Sequence, residues 1–317
     1  MLLPEIDSFD AYRQVYRQEQ IWLPAMQAIC NRHGLDARQL AFAPPGTHVV
    51  FSAGSDCYIK LFSPLWIADY TSERLVLHTL ASRSHLPVPR LLHEGQIEGW
   101  PYVVLTTVPG MPLNQVWSRL GRCEKRSIVQ ACGRFLAQLH KIPLDGLEDL
   151  VIDWHTFVQA RTKARVEELC RSALGPRWSL AAVHLFESQH SFLETPFDPV
   201  LLCADLTDEH VMVCKRDGKW VFTGVIDFGD ALVGHPLYEF AAPVCSITRD
   251  DSELLTELFL GYGFTEADLT EVFAERLLAY TLLHRYIEIG ELLKMLGPKR
   301  IDTLDRLKER LWSFGRH

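Results

Sequence analysis

The 317-residue sequence predicts an α+β protein with a small mixed N-terminal lobe carrying an antiparallel sheet and a larger, mostly helical C-terminal lobe. Three observations predict it. β-rich and helical runs alternate over the first hundred residues. After residue 124 apolar residues recur mostly at helical spacing. The remaining strand signals are confined to one stretch, 199–228.

In chain order, "SFDAYRQVYRQEQIWLPAMQAICNRHG" (8–34) reads as helical from a Ser8 cap to a Gly34 stop, with Pro24 as the point of kink or division. "HVVFSAGSDCYIKLF" (48–62) is two β-rich runs around "AGSD", a hairpin. "SERLVLHTLASRSHL" (72–86) returns to helical spacing, with Ser72 placed to cap it. "GWPYVVLTTVPG" (99–110) is a strand that stops at Pro-Gly. "EKRSIVQACGRFLAQLHKI" is helical, as are segments near 155–172, 178–193, 252–261 and 266–295. "PVLLCADL", "HVMVCK" and "WVFTGVIDF" are the late strands. The turn in "VPGMPL" sets the boundary, giving lobes 1–107 and 108–317 with a ligand cleft expected between them.

Composition narrows the class. The net charge of -8 disfavours nucleic-acid binding, which needs a basic surplus. Eight scattered cysteines form no CxxC pair, so neither a zinc site nor a disulfide framework is signalled. "MLLPEIDSFD" lacks the basic n-region of a signal peptide, and no apolar run is long enough to span a bilayer. The expectation is a cytoplasmic protein without a membrane partner.

The chemistry lies in four residues. Asp205 follows "LLCA" and Asp227 follows "TGVI"; Lys60 sits in "CYIKLF" between apolar neighbours, and Glu73 falls on the next helix. Singly these read as turn carboxylates, an edge lysine and an exposed glutamate. In this order they supply the parts of a phosphoryl-transfer site. These are a lysine for phosphates, a carboxylate to hold it, one to orient an acceptor, and one for a cation.

"LLCADLTDEHVMV" resembles the catalytic loop of the aminoglycoside phosphotransferase and choline kinase family, usually His-Gly-Asp-x-x-x-x-Asn. "GVIDFGDALVGHPLYEFA" resembles its metal-binding segment, "GRFLAQLHKIP" the helix before its substrate insertion, and "YVVLTTVPGMPL" its lobe connection. The resemblance runs from about residue 46 to the end and implies a two-lobed, protein-kinase-like fold. It further implies a small-molecule kinase that takes ATP or GTP with Mg2+ (or Mn2+) and phosphorylates a hydroxyl of an aminoglycoside-like or other small polar acceptor. Asp205 would be the catalytic base, and Asp227 a metal ligand with His210 at the Asn position. Lys60, braced by Glu73, would contact the phosphates, and the backbone at Val104, Thr106 and Val108 would receive the base.

The chain departs from that pattern at several points. Cys203 replaces the histidine, His210 the asparagine, and Gly234-His235-Pro236 the usual Gly-Asp-Pro; Gly46 and Gly54 are the only remnants of a glycine-rich loop. Cys203 and His210 favour a rival reading, a nucleotide-binding pseudokinase or scaffold without turnover. A metal hydrolase ranks last because it leaves Lys60 unexplained. Asp230 and Glu239 read as loop or capping residues, Asp208 and Glu209 as exposed, and His140 as a helix-end residue. Glu288 and Glu291, three apart, read as one solvated helix face.

Overall fold

The structure, a computed structural model, describes residues 1–43, 46–297 and 301–315. It is α+β, as expected, and divides into two compact units: Met1–Pro109 with Val225–Ala231, and Gly110–Gly224 with Leu232–His317.

The first unit runs α1 (Phe9–Val15), α2 (Glu19–His33), β1 (Leu40–Phe42), β2 (Val49–Ala53), β3 (Cys57–Leu61), α3 (Ile67–Arg83), β4 (Leu91–Ile97) and β5 (Trp100–Thr106). The strands form one antiparallel sheet in the order β1-β2-β3-β5-β4. Ser8 caps α1 and Gly34 ends α2 in the left-handed region, as the sequence predicts. The division falls at 16–18 rather than at Pro24, which lies inside α2. Both Pro24 and Gln20, whose carbonyl loses its donor, are exposed. Water can satisfy that carbonyl, so the helix continues.

Trp22, Ala25, Met26, Ile29 and Cys30 recur at i, i+3, i+4, i+7 and i+8 and make one buried stripe on α2. The stripe shares a core with Val49, Phe51, Ile59, Leu61, Tyr102 and Val104, the alternate residues of three adjacent strands. Strand periodicity then puts Lys60, between Ile59 and Leu61, on the opposite face. The first forty residues thus close one face of the sheet and leave the other for Lys60. Helix α3 begins at Ile67, and Ser63 caps the short 3-10 turn before it, so Ser72 is an interior residue rather than a cap.

The second unit contains β6 (Met111–Pro112), α4 (Arg122–Leu139), α5 (Trp154–Arg171), α6 (Pro176–Ser188), α7 (His190–Glu194), β7 (Val200–Leu202), β8 (Val211–Arg216) and β9 (Lys219–Val225). It continues with β10 (Leu232–Gly234), α8 (Ala241–Pro243), α9 (Ser252–Tyr262), α10 (Glu271–Leu283), α11 (Ile289–Met295) and α12 (Leu304–Leu311). β7 pairs with β10, and β6, β8 and β9 make a small sheet. Helices α4 and α9 cross at glycines: a Cβ on Gly133 would lie 2.2 Å from the Leu258 carbonyl oxygen, and one on Gly261 2.4 Å from that of Gln130.

The segment predicted as one helix over 266–295 is two, interrupted at 284–288. No glycine or proline breaks it. Two arginines of α5 do: Arg161 donates to the carbonyls of Leu283 (3.0 Å) and His284 (2.9 Å), and Arg165 to those of Leu282 (2.7 Å), His284 (3.1 Å) and Ile287 (2.6 Å). These are the carbonyls a helix end leaves without partners. Glu288 consequently precedes α11 instead of sharing a helix face with Glu291.

Candidate functional site

In the first unit the structure brings Lys60, Glu73 and Asp227 together. The Lys60 ammonium lies 2.7 Å from Glu73 Oε2 and 2.9 Å from Asp227 Oδ1. Lys60 and Glu73 are buried, whereas the Asp227 side chain is 35% exposed. Burial works against the lysine's charge, but the carboxylates of Asp227 and then Glu73 outweigh it and hold the ammonium above its ordinary pKa. One cation does not satisfy two carboxylates. Glu73 is therefore pushed upward, by burial first and also by Asp227, against the downward pull of Lys60. Asp227 takes the left-handed conformation (φ 69°), which Asp tolerates better than most residues. Its Oδ1 also accepts from the Gly229 N–H (3.1 Å), turning the carboxylate at the start of an Asp-Phe-Gly turn.

Of the three residues expected at the nucleotide base, Val104 is paired on both sides within the sheet, with Ile59 and His93. The Thr106 N–H donates to the Arg90 carbonyl (2.9 Å), and its hydroxyl accepts from the Arg90 N–H (2.8 Å). Val108 lies past the end of β5 and is buried.

In the second unit Asp205 and His210 are neighbours. His210 Nδ1 is 2.7 Å from the Asp205 main-chain oxygen and 3.4 Å from its Oδ2. A carbonyl only accepts, so Nδ1 carries the proton and donates, which leaves the ring's lone pair on Nε2. Metal-binding histidines are commonly oriented by such a second hydrogen bond.

The loop before Asp205 rests on Glu239, which is 0% exposed. Its Oε2 accepts from the Cys203 N–H (2.9 Å), and its Oε1 from the Ala204 N–H (3.0 Å) and the Cys203 thiol (3.2 Å); His140 Nε2 stands 3.4 Å from Oε2. Burial, then Glu239, raises the Cys203 thiol well above its usual pKa, so it remains a donor. Cys203 thus fills the histidine position by hydrogen bonding as well as packing, and Glu239 is the loop ligand the sequence suggests. Asp208, expected to be exposed, is 9% exposed: it pairs with Arg249 (3.1 Å), and its carbonyl accepts from the Asn114 N–H.

His235 explains the missing aspartate of Gly-Asp-Pro. Its Nδ1 accepts from the Leu237 N–H (3.1 Å), capping the short helix at Pro236–Phe240 as a carboxylate would. Burial, then the nearby Arg276 charge, pushes its pKa down to about 4, which keeps Nδ1 an acceptor. His284, which sequence reasoning missed, is also buried and held down to about 4, mainly by desolvation; its Nε2 donates to the Ala204 carbonyl (2.9 Å).

Both histidines are neutral in the folded chain, while an unfolded one takes up a proton near pH 6.5. The unfolded state therefore binds more protons between about pH 6.5 and 4, and the contribution present above 6.5 is lost as pH falls through that window. We expect each histidine to withdraw on the order of 2–3 kcal/mol by pH 4. Urea midpoints measured from pH 7 to 4 should fall steeply, and less so in His235→Asn, whose amide oxygen caps without titrating.

Among the described residues no three His, Cys, Asp or Glu side chains are arranged to hold a metal ion. The donor set still suits a divalent cation delivered with phosphates. Magnesium commonly binds through one or two carboxylates and completes its shell with phosphate oxygens and water. Asp227 offers such an oxygen on a part-exposed side chain. No described helix is long and apolar enough to cross a membrane.

Comparisons with known proteins bear on the fold and the family. The family model described as the phosphotransferase enzyme family matches residues 48–272. No curated protein sequence matches the chain. Among solved structures, the GDP complex of aminoglycoside 2'-phosphotransferase-IIIa superposes with a TM-score of 0.70 at 17% identity, over 86% of this chain and 96% of that one. ADP-bound APH(2'')-Ib gives 0.57 at 17% identity, over 86% and 94%. APH(3'')-Id from Streptomyces rimosus with ADP and streptomycin gives 0.57 at 17% identity, over 82% and 97%. At these identities the likeness shows the fold, which is the aminoglycoside kinase fold. The family model covers well over half of the 317 residues and spans Lys60, Glu73, Asp205 and Asp227. The chain belongs to the phosphotransferase enzyme family.

Proposed function

We propose that this chain is a small-molecule kinase that moves the terminal phosphate of ATP or GTP onto a hydroxyl of an aminoglycoside-like or other small polar acceptor. The observation that carries the reading is the buried Lys60 held between Glu73 and Asp227. A buried ammonium is costly, and one fixed beside a part-exposed carboxylate is suited to meet phosphate oxygens.

In this reading Asp205 orients the acceptor hydroxyl and takes its proton. The acceptor oxygen forms the new bond to the terminal phosphorus, while the bond from phosphorus to the bridging oxygen breaks. That electron pair leaves on the nucleoside diphosphate. Lys60 neutralises phosphate charge, and Glu73 keeps its ammonium in place. A divalent cation, when bound, draws off further charge from the phosphates. Asp227 and His210 are the residues that would hold it, and an imidazole there would suit manganese better than an asparagine oxygen does. The main chain at Val108 contacts the base, since Val104 and Thr106 are engaged within the sheet. The unit of Met1–Pro109 with Val225–Ala231 is then the nucleotide lobe, the sequence boundary at 107 shifting to 109 and gaining the Asp227 turn, and the other unit supplies Asp205 and the acceptor site. Relatives solved with GDP and kanamycin, or with ADP and streptomycin, support a nucleotide donor and a hydroxyl-rich acceptor.

The test is a transfer screen with ATP and GTP, each with magnesium and with manganese, against aminoglycosides, choline, amino alcohols and sugars. Transfer that Asp205→Ala abolishes supports the kinase. A ratio of manganese- to magnesium-supported rate that falls in His210→Asn supports His210 as a ligand. Nucleotide binding with neither transfer nor hydrolysis of the terminal phosphate would favour the scaffold reading that Cys203 and His210 motivate.

A further inference from the structure

The peptide just before Asp205 is held in an unusual way. Ala204 has φ 61°, the left-handed region, where a Cβ meets the following carbonyl and the cost is roughly 1–2 kcal/mol. Such a conformation persists only where its surroundings over-determine it. Here both polar groups of Ala204 are engaged by buried side chains: its N–H by Glu239 Oε1 at 3.0 Å, and its carbonyl by His284 Nε2 at 2.9 Å. The carbonyl is bonded to the nitrogen of Asp205, so fixing it fixes the plane from which the Asp205 side chain departs.

His284 is itself built in from several sides. It is 1% exposed, and its ring stacks on Tyr238 with centroids 4.9 Å apart and planes at 17°. Its carbonyl accepts from Arg161 (2.9 Å) and Arg165 (3.1 Å), the arginines that end α10. Arg165 is as buried as His284. An interior imidazole gripped this firmly, with a ring N–H aimed at one carbonyl, does more than fill volume.

We propose that His284 is a positioning residue for phosphoryl transfer: it holds Ala204 in its left-handed conformation and so sets the direction of the Asp205 carboxylate. The inference rests on the kinase reading above. Loss of the N–H allows Ala204 to relax toward the right-handed or extended regions that alanine prefers, and Asp205 swings with it. Nucleotide affinity, which depends on Lys60 and its partners, is untouched.

The experiment uses the full chain and takes water as the acceptor: release of phosphate from magnesium-ATP and magnesium-GTP, beside nucleotide affinity from fluorescent analogues. His284→Leu removes the donor and should lower turnover about 10- to 100-fold with nucleotide affinity within twofold. His284→Gln, whose amide nitrogen can reach the place of Nε2, should return turnover to within about threefold of the parent. The deciding variant is the double substitution His284→Leu with Ala204→Gly. Glycine adopts the left-handed region without penalty, so it should recover at least part of the lost turnover, whereas a packing defect at 284 would gain nothing. Equal rates in the parent and His284→Leu, or no recovery in either Gln or the Gly double variant, overturn the proposal. A parent chain that releases no phosphate from either nucleotide, although it binds them, counts against the kinase reading itself, an outcome separate from these comparisons.

Discussion

Asp205→Asn is expected to cut phosphate transfer by about 10²- to 10⁴-fold while leaving the fold and nucleotide affinity unchanged. The amide preserves the shape of the side chain but cannot accept the acceptor's proton, so the loss should fall on kcat. The Asp205 side chain is 27% exposed and follows the buried Cys203 and Ala204, and the amide keeps its shape and size. Its main-chain carbonyl, which His210 uses, is the same in the variant. Steady-state kinetics beside an unfolding curve separate the two effects. A variant that loses nucleotide affinity as much as turnover would place Asp205 on the nucleotide instead of the acceptor.

Glu239→Ala is expected to produce the largest loss of stability, about 3–5 kcal/mol, because one carboxylate serves several donors. The N–H groups of Cys203 and Ala204 lie in an interior that the alanine methyl leaves without an acceptor, and the Cys203 thiol and His140 lose theirs. An orphaned buried amide costs about 1–3 kcal/mol. Glu239→Gln keeps an oxygen at one of the two positions and should fall between the alanine variant and the parent. Urea-unfolding midpoints give the order, and the folded fraction of the alanine variant should also be slow, since Ala204 has lost one of its two tethers. Parent-like midpoints in both variants would mean that water replaces the carboxylate.

Much of this arrangement is legible in the sequence because it depends on local pattern. A lysine between two strand residues that face a core must point the other way, and the next helix supplies Glu73; both follow from periodicity. Asp205 and Asp227 announce themselves by ending apolar runs. What the sequence conceals is set by partners distant in the chain. The break at 284–288 has no glycine or proline because Arg161 and Arg165, more than a hundred positions earlier, take the carbonyls that would otherwise bind within a helix. His284 is hidden for the same reason, since its role becomes visible only once Ala204 lies against it. Asp208 looks like a solvated loop carboxylate until Arg249 is placed beside it. His235 misleads differently: an imidazole in an aspartate's position suggests lost function, although a neutral ring nitrogen accepts the same amide hydrogen.

The crossing of α4 and α9 has a consequence for tolerance to mutation. Neither Gly133 nor Gly261 has a positive φ, so no backbone conformation demands glycine there; what demands it is the facing main chain, at 2.2 Å and 2.4 Å from where a methyl would stand. Side chains can turn aside from an added atom, but a helix backbone can yield only by moving as a whole. In a library carrying every substitution at every position, these two sites should therefore stand out as paired blanks, rejecting even alanine, on helix surfaces where alanine is ordinarily the most readily accepted residue.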